Sequence, residues 1–300
     1  MQEINIHGYV TTDEWNAKDA GTSVWNCAFK DGKKYFIKRL METYIDNIPY
    51  EEATQWQKDD MIISNEFEER TQKLYSLLKK SDNGNLIVPL EFLKNEGHYY
   101  VISEWIDQFS DFNQIKSFTD YQKHLMMKVL AYSIYGLAKN KIVHCDLKPD
   151  NIRIKDTVSG ARTLKIIDFD NGFIEGEYPD VLGGDQNYMS PEAFIRMSQD
   201  EDGAEDKMDV TSKSDIFSLG IIFHEILTGE LPKISDSKTQ YIGLAVGYGK
   251  QVILSEKLAL EYSNLIEKML CQNPNLRPDA LYVFELLKNY IDPLSLSYRR

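Results

Sequence analysis

The stretch "KIVHCDLKPDNIRIK", Lys141 to Lys155, sets acids, a lysine and an asparagine between two apolar runs that read as buried strands. Such a density of oxygen-bearing side chains suits a hard cation. Magnesium takes oxygen ligands and works through one or two protein groups plus substrate phosphates, so its site needs a few oxygens fixed at the ends of rigid elements. Asn151 opens the alternating run "NIRIK" and Asp168 closes "TLKIID", and pairing these runs as a hairpin brings the two oxygens together. Asp146, just ahead of Asn151, could accept a proton from a hydroxyl nucleophile. Each residue alone also fits a structural role: Asp146 as a turn former, Asn151 as a cap, Asp168 as a strand-ending turn residue, Lys38 as a solvated edge-strand lysine.

The elements that must hold these groups can be read from periodicity. "SVWNCAFKDGKKYFIKRL", Ser23 to Leu40, holds two strand-like runs around Asp31-Gly32, a tight-hairpin signal because both turn positions favour positive φ. Lys38 therefore sits on a strand. Ile63, Phe67, Leu74 and Leu78 recur at helical spacing and predict an amphipathic helix from Met61 to Lys80. "NLIVPLEFL" and "HYYVISEWI" read as two more strands, followed by a helix over Tyr121 to Ala138, a short hairpin around Ser159-Gly160 and a mostly helical pattern beyond Ser214. The order is a small sheet and then helices, with the boundary between Trp105 and Gln108. The turn-rich acidic stretch "SQDEDGAEDKMD", Ser198 to Asp209, reads as a solvated loop.

Composition narrows the partners. With 34 basic and 47 acidic residues the net charge is −13, which disfavours nonspecific binding to nucleic acid or anionic membrane. Three cysteines without a CxxC, and five histidines apart from them, suggest neither a disulfide framework nor a zinc site. The opening "MQEINIHGYV" lacks a basic region followed by an apolar core, and no apolar run approaches the ~20 residues that span a bilayer. The expectation is a cytoplasmic protein with neither nucleic acid nor membrane as partner.

The spacing of these groups resembles that of the eukaryotic-type protein kinases over nearly the whole chain. The catalytic loop H-R-D-L-x-x-x-N of that family corresponds to "HCDLKPDN", His144 to Asn151; D-F-G to "DFD", Asp168 to Asp170; A-P-E to "SPE", Ser190 to Glu192; and V-A-I-K to "YFIK", ending at Lys38. "SDIFSLGIIFHEILTGELP" is similar to the family's central helix, and "NPNLRPDA" to the segment whose arginine, here Arg277, pairs with the A-P-E glutamate, Glu192. The resemblance implies an α+β, bilobal kinase-like fold: a small antiparallel-sheet lobe with one main helix over residues 1–106, its hinge at the end, and a mostly helical lobe over 107–300, together one kinase domain. It implies ATP and Mg²⁺ as cofactors and proteins with serine or threonine acceptors as substrates, since Lys148-Pro149 follows the serine/threonine version of the loop. By position, Lys38 would hold the α- and β-phosphates, Asp146 orient the acceptor hydroxyl, Lys148 neutralise charge on the transferring group, and Asn151 and Asp168 bind the metal. The glutamate paired with Lys38 could be Glu66, Glu68 or Glu69; Glu68 is preferred because it shares a face with Thr71, Tyr75 and Leu78. In "VISEWID", Ser103 falls at the gatekeeper, Glu104 offers a backbone acceptor to adenine, and Ile106 a backbone donor.

Departures from the pattern bear on regulation. Only Gly21 in "DAGTSVW" stands where the family shows G-x-G-x-x-G, and Cys145 replaces the arginine that receives an activation-loop phosphate. Asp170 replaces the glycine of D-F-G, and Asp185 stands where a threonine usually bridges the catalytic residues, which predicts a direct contact to Lys148. Between Asp168 and Glu192 the hydroxyl residues are Tyr178, Tyr188 and Ser190, the last two within the anchor. These features imply a constitutively active serine/threonine kinase; the alternatives are a pseudokinase scaffold and a small-molecule kinase.

Overall fold

The computed structural model describes residues 2–17, 23–45, 48–106, 109–156, 162–179, 181–198, 209–235 and 239–289. The chain divides into two compact units, residues 1–79 with 87–107 and residues 80–86 with 108–300.

The first unit is a six-stranded antiparallel sheet in the order β1-β2-β3-β4-β6-β5. Its strands are β1 (Glu3–Ile6), β2 (Tyr9–Thr12), β3 (Val24–Lys30), β4 (Lys33–Thr43), β5 (Glu91–Asn95) and β6 (His98–Glu104), with helix α1 (Gln55–Ser81) between β4 and β5. The β3–β4 turn is the expected one: Asp31 and Gly32 take φ of 51° and 73°, the left-handed pair that lets the strands twist together. Ile6, Tyr9, Ala28, Ile37, Tyr100 and Ile102 form a buried cluster on the sheet. Helix α1 buries Thr71, Leu74, Tyr75 and Leu78, and its Phe67 meets Tyr99 at 5.2 Å, while Tyr99 stacks on Phe92 at 5.3 Å. The Tyr99 hydroxyl donates to the carbonyl of Ser64 at 3.1 Å, which fixes the helix along the sheet.

Three elements differ from expectation. Helix α1 starts before Met61 because Thr54 and Gln57 form a reciprocal cap, Gln57 N donating to Thr54 Oγ1 at 3.3 Å and Thr54 N to Gln57 Oε1 at 2.8 Å. The run "NLIVPLEFL" becomes strand only from Glu91, since Pro89 has no N–H for a ladder. The β1–β2 hairpin was not anticipated; its His7-Gly8 turn has positive φ at both residues.

The second unit is mostly helical. It contains α2 (Asp120–Lys139), β7 (Ile142–Val143), β8 (Ile152–Asp156), β9 (Arg162–Ile166), β10 (Phe173–Ile174), α3 (Pro191–Ser198), α4 (Ser212–Thr228), β11 (Lys233–Ile234), α5 (Ile242–Gly247), β12 (Val252–Ile253), α6 (Leu260–Met269) and α7 (Ala280–Asn289). Helix α4 is buried nearly all round, from Ser214 to His224 without a break, so it is the axis on which the other elements pack. Strands β8 and β9 pair with Ile152 opposite Ile166, as the hairpin reading required; residues 157–161 of its turn lie outside the described residues. Residues 80–86 belong to this unit because Ile166 N donates to Asn85 O at 2.8 Å and Asn140 Nδ2 to Ser81 Oγ at 2.9 Å. Among the described residues no helix is long and apolar enough to cross a membrane.

Candidate active site

The loop from β7 to β8 is hung from one buried carboxylate. Asp215, on α4 and 1 % exposed, accepts from His144 N at 2.8 Å on one oxygen and from Cys145 N at 3.1 Å on the other. Burial pushes the Asp215 carboxyl up to about 6, against the pull of His144 and the two backbone donors. Those bonds hold Cys145 at φ 63°, a left-handed conformation that costs a non-glycine residue on the order of 1 kcal/mol or more and turns the chain into the loop. The Cys145 side chain is buried, its Sγ 3.6 Å from Gly183 O, and burial raises its thiol far above the ordinary range.

Asp146 follows, 7 % exposed and held on every side. Its Oδ1 accepts from Asp185 N at 2.8 Å; its Oδ2 pairs with Lys148 Nζ at 2.9 Å and accepts from Asn151 Nδ2 at 3.1 Å. The Asn151 amide also donates to Asp146 O at 2.8 Å, so one asparagine clamps both ends of the residue. Burial pulls the Lys148 ammonium down, but its hydrogen bond to Asp146 and the charges of Asp146, Asp185 and Asp168 outweigh that and hold it above the usual lysine range. The expected contact from the Asp185 side chain to Lys148 does not form: Asp185 Oδ1 accepts from Asn187 N and Nδ2, both at 2.9 Å, and its charge acts on Lys148 through space.

The "DFD" turn lies against the same loop. Asn151 O accepts from Ile167 N at 3.0 Å, which aligns Asn151 with the residue before Asp168. Asp168 itself has φ 62°, while Asp170 does not have positive φ, so replacing glycine by Asp170 meets no backbone obstacle in this arrangement. Phe169 is 5 % exposed, with its ring 4.8 Å from that of His144, and His144 Nε2 lies 3.2 Å from Ile167 O. The Asn151 amide and the Asp168 carboxylate, both just beyond the Ile152–Ile166 end of the β8–β9 ladder, form a sparse, hard oxygen set. That fits magnesium, which leaves most of its coordination to water and phosphate; among the described residues no cluster of three or more acidic, histidine or cysteine side chains could hold a metal alone.

The "SPE" anchor is buried as expected. Glu192 and Arg277 are both fully buried and joined by two bonds, Nη1 to Oε1 at 2.6 Å and Nη2 to Oε2 at 2.8 Å. Arg277 spends its other donors on the carbonyls of Cys271, Lys213 and Gln272, so all five of its N–H groups are used. Ser190 Oγ lies 2.7 Å from Ser214 Oγ, and Tyr188 donates to Glu225 Oε2 at 2.8 Å. Tyr178 is half-buried: its hydroxyl donates to Asp209 at 2.9 Å and Arg196 covers its ring at 3.5 Å.

The remaining candidates lie in the first unit. Lys38 is on β4, 8 % exposed, opposite Trp25 and Val101. The Glu68 carboxylate pairs with Lys94 on β5 and accepts from Gln72 at 2.9 Å. Glu66 and Glu69 are exposed. Ser103 is buried opposite Phe36, Glu104 ends β6 opposite Tyr35, and Ile106 follows, half-buried. Gly21 lies outside the described residues, as do 199–208 of the acidic stretch. Sequence reasoning missed Asp215 and Glu225, although an acid inside the otherwise apolar "SDIFSLG" was a legible signal.

A twisted antiparallel sheet with one long helix, and a helical unit carrying an acid–lysine–asparagine loop beside a "DFD" turn, define the protein kinase class. The chain belongs to the protein kinase domain family, whose model matches residues 53–288. The strand bearing Lys38 precedes that match. Similar curated proteins include the serine/threonine-protein kinase cds1 of Schizosaccharomyces pombe, 27% identical over 217 residues, covering 70% of this chain and 45% of that protein. Sperm motility kinase 2B of Mus musculus is 27% identical, covering 69% and 40%, and a calcium/calmodulin-dependent serine/threonine-protein kinase of Malus domestica is 28% identical, covering 68% and 45%. The chain thus spans less than half the length of these relatives.

Proposed function

We propose that the chain transfers phosphate from ATP to serine or threonine hydroxyls of proteins. The observation that carries this reading is the Asp146 carboxylate, oriented by Asp185 N, Asn151 and Lys148 so that its position is fixed. In that role Asp146 accepts the acceptor hydroxyl's hydrogen bond and aligns its oxygen, and Lys148, held cationic, neutralises charge on the transferring phosphoryl group. Asn151 and Asp168 would hold Mg²⁺, which when bound offsets charge on the phosphates. Lys38 would bind the α- and β-phosphates, Glu104 and Ile106 would meet adenine through their backbone, and Gly21 would lie over the phosphates. For Glu68 to support Lys38, it would have to exchange its bond to Lys94.

Activity without an activating phosphate follows from Cys145, a buried neutral thiol where a phosphate receptor would need a cation. The competing reading, a pseudokinase scaffold, is favoured by the Glu68–Lys94 pairing. Transfer of labelled phosphate from ATP with magnesium to a generic protein substrate, wild type against Asp146→Asn, decides between them. Transfer that disappears in the variant supports the enzyme; no transfer by either form supports the scaffold.

A further inference from the structure

The sequence carries two identical Asp-Asn-Gly tripeptides, Asp82 to Gly84 and Asp170 to Gly172. Asparagine before glycine is the pair at which a main-chain nitrogen most readily attacks a side-chain amide, because glycine has no Cβ to hinder the approach and its backbone turns freely. The two pairs are alike in sequence and differ in their surroundings.

Around Asn83 each reacting group has a neighbour suited to the reaction. The Gly84 N–H, the nucleophile, donates to Asp82 Oδ1 at 2.8 Å, so a carboxylate stands where the proton must go. Asn83 Oδ1, on the carbon to be attacked, accepts from Asn85 N at 3.1 Å. That bond folds the side chain over the Asn83–Gly84 peptide and sets a donor where negative charge develops. The departing amide nitrogen is weakly held, 3.5 Å from Ser133 Oγ on α2. Gly84 is exposed at φ 87°, with open space where a Cβ would point, so water can enter. Around Asn171 the arrangement differs. Gly172 N donates to Phe169 O at 3.0 Å, a carbonyl that cannot take the proton, and Asn171 Oδ1 lies so close to Gly183 that a Cβ there would collide with it.

We propose that Asn83 is a self-modification site, converting to aspartate and isoaspartate with water as co-reactant, and that the isoaspartate form loosens β9. Gly84 N bonds to Asn83 Cγ as its proton passes to Asp82. The tetrahedral carbon then expels ammonia, the leaving nitrogen recovering that proton, and a cyclic imide remains. Water opens the imide at either carbonyl. Attack at Cγ breaks the new C–N bond and gives aspartate; attack at the main-chain carbonyl breaks the original peptide bond and gives isoaspartate, whose chain runs through Cβ and is one carbon longer. The added carbon lies just ahead of Asn85, whose O accepts from Ile166 N at 2.8 Å and whose Oδ1 accepts from Thr163 Oγ1 at 3.0 Å, and of Leu86, which bridges Ile166. Lengthening the chain there slackens the bonds that hold β9, the strand that runs towards Asp168.

The test incubates the folded chain at neutral pH and follows both asparagine peptides by mass spectrometry, with fragmentation that tells isoaspartate from aspartate. Asn83 should convert faster than Asn171 by on the order of 10-fold or more in the folded chain, and at nearly the same rate in urea, where only the shared tripeptide remains. Asp82→Asn, which keeps an oxygen to accept from Gly84 N but cannot take its proton, should slow Asn83 and leave Asn171 alone. Equal rates in the folded chain, a slower Asn83, or an undiminished rate in Asp82→Asn overturns the site. Hydrogen exchange at the Ile166 amide reads the consequence. It should quicken in aged chain in proportion to the isoaspartate content, while Asn83→Asp stays as protected as wild type; protection that ageing leaves unchanged overturns the link to β9.

Discussion

Replacing Arg277 by alanine strands the Glu192 carboxylate in a site from which water is excluded. Both side chains are fully buried, and the guanidinium supplies two bonds to Glu192 and three to main-chain oxygens. Removing one partner of a buried pair costs about 3–5 kcal/mol, because the survivor keeps its desolvation penalty without its counter-charge. At about 2 °C per kcal/mol for a chain of this size, Tm should fall by about 6–10 °C in a thermal melt. Removing both charges separates the ionic share: Glu192→Met with Arg277→Met should cost clearly less than the sum of the two single changes, a coupling a double-mutant cycle measures directly. It should not return to wild type, since the carbonyls of Cys271, Gln272 and Lys213 lose their donor. A melt within 1–2 °C of wild type for Arg277→Ala, or strict additivity in the cycle, would refute the argument that the pair is held by mutual desolvation.

Asp146→Ala should lower the transfer rate on the order of 100-fold or more, and Asp168→Asn should abolish detectable transfer with an unchanged melt; near-normal turnover in either would remove that residue's assigned role. Asp215 has a folded pKa of about 6 against an unfolded value of about 3.9, so its contribution to stability is full below about pH 4 and is lost as pH rises to about 6. Denaturant titrations across that window should show a steeper loss for wild type than for Asp215→Asn, and equal slopes would contradict the assignment. Ser103→Met should block ATP-site ligands with bulky substituents that bind wild type, whereas equal affinity would mean the hinge is misaligned. Phosphatase treatment and Tyr178→Phe should each leave the transfer rate unchanged; a large loss in either would reveal a loop switch.

What could be read beforehand was whatever depends on local chemistry. The Asp31-Gly32 turn, the β8–β9 hairpin and the Glu192–Arg277 pair each follow from a short motif or a resemblance to one, and each is present. What could not be read were interactions decided by which distant group arrives first. Glu68 was chosen by its helix face, yet Lys94 on β5 pairs with it, a competition that helix periodicity does not contain. Asp185 was expected to use its side chain on Lys148; its backbone N–H reaches Asp146 instead, while the side chain closes a turn with Asn187. Asp215 was overlooked because its partners are main-chain amides of another segment, and amides leave no trace in composition. The early start of α1 was legible: Thr54 and Gln57 are a capping pair that a search for apolar periodicity passes over.

The burial of Cys145 has a practical consequence for probes. Its thiol is raised and enclosed, so maleimides, which attack the thiolate, should pass it by, whereas Cys27 and Cys271 are only half-buried. Cys27 lies on β3 in the first compact unit, and Cys271 just beyond α6 in the second. The unmodified sequence therefore carries one dye-attachment point in each unit and leaves the catalytic loop unlabelled. Donor and acceptor fluorophores on those two thiols would report the separation of the units in single molecules, with and without nucleotide, and no cysteine would have to be removed first.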